Sequence, residues 1–145
     1  DARDLPQLAE WLSHDDATVR YWAATGIGNR GDSIVSLSKA TDALGVLLQD
    51  ESENVRIAAA RALMDLGHRR RALRTLSQVL DGGTQWARVH AAIVLDELGE
   101  AARPVIKAMK RNKVNRDGFV AKGKYAVRVL NKALNDLEGT HNTVP

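Results

Sequence analysis

One pattern occurs three times and restricts this chain to a narrow class of folds. Arg20-Tyr21-Trp22-Ala23-Ala24 aligns with Arg56-Ile57-Ala58-Ala59-Ala60 and with Arg88-Val89-His90-Ala91-Ala92. A glycine follows each arginine by 11 residues (Gly31, Gly67, Gly99), and a leucine precedes each by 8 (Leu12, Leu48, Leu80). Another leucine lies 4 residues before that (Leu8, Leu44, Leu76). The copies are 36 and 32 residues apart, the spacing of arrays in which each repeat is one supersecondary unit stacked on the next. In the middle copy Val55, Ala58, Ala59, Ala62, Leu63 and Leu66 recur at helical spacing and form one apolar stripe. Ser52 is the expected N-cap, and Gly67 the expected residue just past the helix, where glycine reaches the left-handed conformation without steric cost. The pattern predicts an all-α fold, an α-solenoid of about four stacked antiparallel helix pairs at about 4–31, 39–67, 69–99 and 101–138. These make one domain over 1–138, with 139–145 as a flexible tail. One pair cannot bury its stripe alone, so stability resides in each repeat and in the contacts between neighbours.

Within that frame the first pair opens on Leu5, Leu8 and Leu12, with Pro6 tolerated in a first turn where its missing N–H has no partner anyway. Asp15 or Asp16 caps a second helix expected to bury Val19, Trp22, Ala23, Gly26 and Ile27. Gly26 and Gly28 each cost that helix about 1 kcal/mol against alanine, so they are expected where helices approach closely. Residues 33–38 have no counterpart in the later copies and account for most of the spacing difference. The third pair turns at Asp81-Gly82-Gly83-Thr84, and the fourth is irregular, with a long basic connection at 110–118 before a last helix at about 120–137. The first helix carries Leu5, Leu8, Trp11 and Leu12, little polar surface for an exposed end. Something upstream is therefore expected to cover it, with Trp11 in the contact. The chain opens at Asp1 rather than methionine, which marks it as an expected fragment or processed product.

Charge is uneven. Residues 1–100 hold 11 Lys/Arg against 15 Asp/Glu, a balance of −4, whereas residues 101–145 hold 10 against 3, a balance of +7. Two basic clusters stand out as a candidate anion or partner surface: Arg69, Arg70, Arg71 and Arg74, and then Lys107, Lys110, Arg111, Lys113, Arg116, Lys122 and Lys124. A solvated face explains such clusters most simply, and cations at a helix C-terminus are favourable, which would account for Arg69 to Arg71. The sharper reading is a surface for phosphates or sulfated sugars. Cysteine is absent, which excludes disulfides and thiolate metal sites, and no apolar run approaches the roughly 18 residues of a membrane span.

The stretch Asp50 to Gly67 reads Asp-x-x-x-x-Val-Arg-x-x-Ala-Ala-x-x-Leu-x-x-Leu-Gly almost throughout, and in this it resembles HEAT repeats, especially the short bacterial type. Asp15 to Gly31 and Asp81 to Gly99 match more loosely. The resemblance implies that Arg20, Arg56 and Arg88 are structural residues that, with the motif aspartate, link neighbouring repeats, and that Gly31, Gly67 and Gly99 end the second helices. It specifies fold far more than function. A narrower resemblance is carried by Val19 to Gly26, Gln85 to Ala92, Leu95 to Gly99 and Tyr125 to Leu130. These segments look like the HEAT-type C-terminal region of some bacterial sulfatases. The resemblance implies an accessory domain whose partner is the N-terminal catalytic domain of the same chain, in a periplasmic or secreted protein that hydrolyses sulfuric esters. The sulfatase signature Cys- or Ser-x-Pro-x-Arg is missing here, since none of Pro6, Pro104 and Pro145 sits in it.

Nothing in the chain calls for catalysis. The four histidines, His14, His68, His90 and His141, have no metal-ligand spacing. Asp15-Asp16 and Asp50-Glu51 are adjacent carboxylates at helix starts, explained by capping rather than by two acids facing across a cleft. Gly26, Gly28 and Gly31 lie inside a helical pattern with no strand before them, so they do not form a nucleotide loop. No catalytic, cofactor or metal residue is expected. The expected function is a non-catalytic interaction or packing module that binds protein, with Tyr21 and Arg61 as further surface contacts. A sulfated glycan is a second candidate partner. The rival is a nucleic-acid-binding module using the basic end, and no membrane partner is expected.

Overall fold

The computed structural model describes residues 5–29, 38–113 and 124–143. The helices are α1 (Leu5–Trp11), α2 (Ala17–Gly28), α3 (Ser38–Leu47), α4 (Glu53–Asp65), α5 (Arg69–Gly82), α6 (Gln85–Leu98), α7 (Ile106–Asn112) and α8 (Lys124–Glu138), with a 3-10 helix at Gly99–Val105. The described residues contain no strand. The fold is all-α, a repeat solenoid of helix pairs joined by short turns. The expected glycine Gly31 lies outside the described residues, as does the insertion read at 33–38 except Ser38, which opens α3.

The chain divides within α5 into a unit at Asp1–Thr75 and a unit at Leu76–Pro145. In the first, α1 packs on α2, α3 on α4, and α2 most extensively on α4. Its core is aliphatic: Leu12, Ile27, Leu44, Val55, Ile57 and Leu63 are almost wholly buried. In the second, α6 packs on α8, α7 on α8, and the 3-10 segment touches all three. Its core is built on Leu76, Leu80, Leu95, Met109 and Leu130.

Local chemistry sets the helix ends. Asp16 stands at the N-cap of α2 and accepts from the Thr18 N–H at 2.7 Å. Ser52 occupies the N-cap position of α4 as expected, but its side chain makes no capping bond. The Asp50 carboxylate instead accepts the Ser52 N–H at 2.9 Å. Gly67 has φ +84°, and around it the His68 N–H reaches the Leu63 carbonyl while the Gly67 N–H reaches that of Met64. That is a Schellman ending, and it fixes α4 to the length the repeat predicts. Gly99 also has positive φ, at +51°. Helix α5 continues through Gly82, so the expected turn at 81–84 is shorter than the sequence suggests. At the far end, Asn135 accepts from the Thr140 hydroxyl at 2.8 Å and the Asn142 N–H at 3.1 Å. The segment read as a flexible tail is therefore hydrogen-bonded to α8 as far as Asn142.

The two glycines of α2 do different things. A Cβ at Gly28 would stand 3.0 Å from the Cα of Ala62, whereas one at Gly26 would meet only the methyls of Leu8, at 3.3 and 3.4 Å. Backbone cannot step aside, but the half-buried Leu8 can turn. Gly26→Ala is expected to gain up to about 1 kcal/mol from helix propensity. Gly28→Ala is expected to lose about 1–3 kcal/mol to overpacking. Urea unfolding of the two variants side by side checks this, and a Gly28→Ala protein at least as stable as the parent would refute the close α2–α4 contact.

Candidate functional site

Two of the repeat arginines, Arg20 and Arg56, bind the turns before their own helices, whereas the Nε of the third, Arg88, is buried with no hydrogen bond. Arg20 Nη1 donates to the carbonyls of His14 and Asp15, both at 2.8 Å, which ties down the turn before its own helix. Its Nε and Nη2 donate to the two carboxylate oxygens of Asp50 at 2.7 and 3.0 Å, a bidentate pair reaching from the first helix pair to the second. Arg56 repeats the first half of this, with Nη1 at 2.6 Å from the Asp50 carbonyl and 3.3 Å from that of Glu51. Burial raises the Asp50 carboxyl, but the hydrogen bonds from Arg20 and from the Ser52 N–H and the charge of Arg20 outweigh it, and the group is held below its ordinary 3.8. Arg20 and Asp50 thus tie the first helix pair to the second.

The basic clusters separate by environment. The cationic first cluster does not sit at the C-terminus of α4: α4 ends at Asp65, and Arg69, Arg70 and Arg71 open α5. There the helix dipole repels them, so the dipole does not explain them. Arg71 is structural, because its Nη2 donates to the Gly45 carbonyl at 3.1 Å. A Cβ at Gly45 would collide with its guanidinium at 2.9 Å. Arg69, Arg70 and Arg74 are exposed. In the second cluster Arg111 makes a bidentate pair with Asp81 at 3.0 and 2.7 Å and Lys110 pairs with Glu138. Lys107 is exposed and Lys113 half-buried. Arg116, Lys122 and the side chain of Lys124 lie outside the described residues. Tyr21 and Arg61 are half-buried, and Arg61 pairs with Asp65 at 3.6 Å.

Aromatic side chains are the feature that sequence reasoning misplaced. Trp22, expected in the core of α2, is 62% exposed. The reason is the face that α2 turns to its neighbours: Arg20, Ala23, Ala24, Ile27 and Gly28 are its buried residues, and at about 100° per residue Trp22 stands on the opposite side of the helix. Trp86 is 70% exposed and Tyr125 54%, their rings nearly parallel with centroids 6.5 Å apart. Trp11 and Ile93 are also exposed. Trp22 is flanked by Tyr21, edge to face at 5.2 Å. Among the described residues no aromatic side chain belongs to the buried core. Solvent-facing tryptophan and tyrosine are the side chains that anchor protein interfaces. The register gives no warning of this, because the matching residues are the buried Ala58 and the half-buried His90.

Little else in the structure supports chemistry. Among the described residues no group of three or more His, Asp or Glu side chains is placed to hold a metal ion, and no helix is long and apolar enough to cross a membrane. His90 is half-buried on α6, and burial pulls its pKa below 6.5. A polar cleft of about 440 Å³ runs along α8, lined by Arg128, Asn131, Lys132, Asn135, Thr140 and His141 among others. Lys132 is held there by Asp96 at 2.9 Å and Asp136 at 3.0 Å.

No curated protein matches the chain. The family model for HEAT repeats matches residues 5–96, the span that holds the three arginine motifs, the Arg20–Asp50 link and the glycine ending of α4. The chain belongs to the HEAT-repeat family.

Proposed function

We propose that this chain is a non-catalytic helical-repeat module that binds protein through the outward faces of its second helices. The observation that carries the reading is the placement of the aromatics: Trp22 on α2 in the first unit, and Trp86 with Tyr125 on α6 and α8 in the second, all more than half exposed. A chain that fills its core with leucine, alanine and valine while leaving its tryptophans in water favours a surface that becomes dry on binding. Interfaces of this kind concentrate their energy in a few aromatic and arginine anchors.

The finer reading is that the bound protein is a catalytic domain of the same polypeptide, in a bacterial sulfatase that is periplasmic or secreted. It rests on the segments Val19 to Gly26, Gln85 to Ala92 and Tyr125 to Leu130. The sequence of the gene upstream of Asp1 tests it. A Cys- or Ser-x-Pro-x-Arg segment there supports the accessory-domain reading, and any other upstream sequence refutes it. With the partner domain in hand, titration calorimetry of the two pieces tests the surface. Trp86→Ala with Tyr125→Ala is expected to weaken binding by at least about thirtyfold, the loss of one hot spot. Unchanged affinity would move the interface elsewhere. The nucleic-acid reading has less support, because Lys110 and Arg111 already hold acidic partners.

A further inference from the structure

Several arginines among the described residues have a carboxylate or a carbonyl in their fork. Arg20 holds Asp50, Arg103 holds Glu100 and the Leu137 carbonyl, Arg111 holds Asp81, and Arg71 holds the Gly45 carbonyl. Arg69, Arg70 and Arg74 have neither an ion pair nor a hydrogen bond among the described residues. Arg70 and Arg74 stand on the outward side of α5, away from the buried stripe of Ala72, Leu76 and Val79, whereas Arg69, at the first residue of the helix, shares the face of Leu73. Arg70 and Arg74 are one helical turn apart, so their like charges oppose each other. The first turn of α5 contains no acidic residue to offset them. All three are also in the half of the helix where a cation is disfavoured. Capping, packing and internal pairing therefore leave this cluster unexplained, and each of those accounts would have placed acids or fewer cations here.

We propose that Arg70 and Arg74 form a docking surface for an acidic helical segment of a partner protein. Two carboxylates at i and i+4 on such a helix match the Arg70–Arg74 spacing. The guanidinium fork takes a carboxylate bidentately, as Arg20 takes Asp50 at 2.7 and 3.0 Å. The inference rests on the reading of the chain as a protein-binding module, and it names a second surface, remote in sequence from Trp86 and Tyr125, with its own partner chemistry.

The probe is a labelled alanine-based helical peptide of about 20 residues with glutamates at i and i+4, and its glutamine analogue. Both are titrated against the full chain by fluorescence anisotropy at about 0.15 M salt, where interactions between distant exposed charges are screened. The glutamate peptide is expected to bind and the glutamine peptide to fail. Arg70→Gln with Arg74→Gln is expected to weaken binding at least about tenfold, while the free variant unfolds at the same urea concentration as the parent or a higher one. Equal binding by the variant overturns the proposal. So does an earlier unfolding midpoint, which would make the cluster structural. Indifference to the glutamate peptide with tight retention of heparin or duplex DNA also overturns it, in favour of a polyanion surface. None of these outcomes touches the Trp86–Tyr125 test.

Discussion

Replacing Asp50 by alanine is expected to lower the free energy of unfolding by about 3–5 kcal/mol, because it leaves the Arg20 guanidinium charged, desolvated and without its partner. The side chains of Arg20 and Asp50 are only 10% and 6% exposed, so water cannot take over the hydrogen bonds that the carboxylate provided. Arg111→Ala supplies the contrast. It breaks a pair of the same geometry with Asp81, but those side chains are 51% and 39% exposed, and the expected loss is at most about 1 kcal/mol. Guanidinium unfolding of both variants separates the two cases. Replacing both partners, Arg20→Met with Asp50→Leu, is expected to cost less than Asp50→Ala alone, since no charge is left stranded. Equal losses in Asp50→Ala and Arg111→Ala would mean that the link between the first two repeats carries no more stability than a surface ion pair.

The same pair dictates the response to acid. The Asp50 carboxyl is held below 3.8 in the folded chain, whereas the unfolded chain takes up its proton at the ordinary value. Its contribution is therefore fully present above that value and is lost as pH falls through the depressed folded value. A plot of unfolding free energy against pH should drop more steeply below about pH 4 in the parent than in the Arg20→Met, Asp50→Leu variant.

The sequence made the skeleton readable because the repeat is over-determined. Leucine, arginine and glycine recur at fixed offsets, and each is tied to a local requirement: the stripe, the turn staple and the positive φ at Gly67. The roles of Arg20 and Asp50 followed from family resemblance rather than from spacing, since nothing in a single sequence says which of Asp15, Asp16, Asp50 and Glu51 meets an arginine 30 residues away. Trp22 was misread for a physical reason. Periodicity tells which residues share a face but not which face is buried, and in α2 the buried one runs through Ala23, Ala24, Ile27 and Gly28, opposite Trp22. Arg69 to Arg71 were misread because the helix boundary there is set by the ending at Gly67, which hands the arginines to the start of α5 instead of the end of α4.

The consequence of that aromatic placement is an inverted ranking of truncations. Leu63→Ala removes fewer atoms than Trp86→Ala, yet it is expected to cost far more stability. Leu63 is wholly buried on α4, and emptying its site is expected to cost about 2–5 kcal/mol, the lost transfer energy plus that of the cavity left behind. A buried tryptophan cut to alanine costs about 3–5 kcal/mol, but Trp86 is 70% exposed and forms no cavity when it is lost. Its removal is expected to change stability by less than about 1 kcal/mol, the scale of a surface substitution with one stacking contact. Thermal and urea unfolding of the two variants decide the matter. A Trp86→Ala protein that loses as much as Leu63→Ala would make the indole part of the fold, and the protein-binding reading would lose the observation that carries it. A Trp86→Ala protein that folds like the parent shows that the fold does not need the indole, which is the result that the protein-binding reading requires.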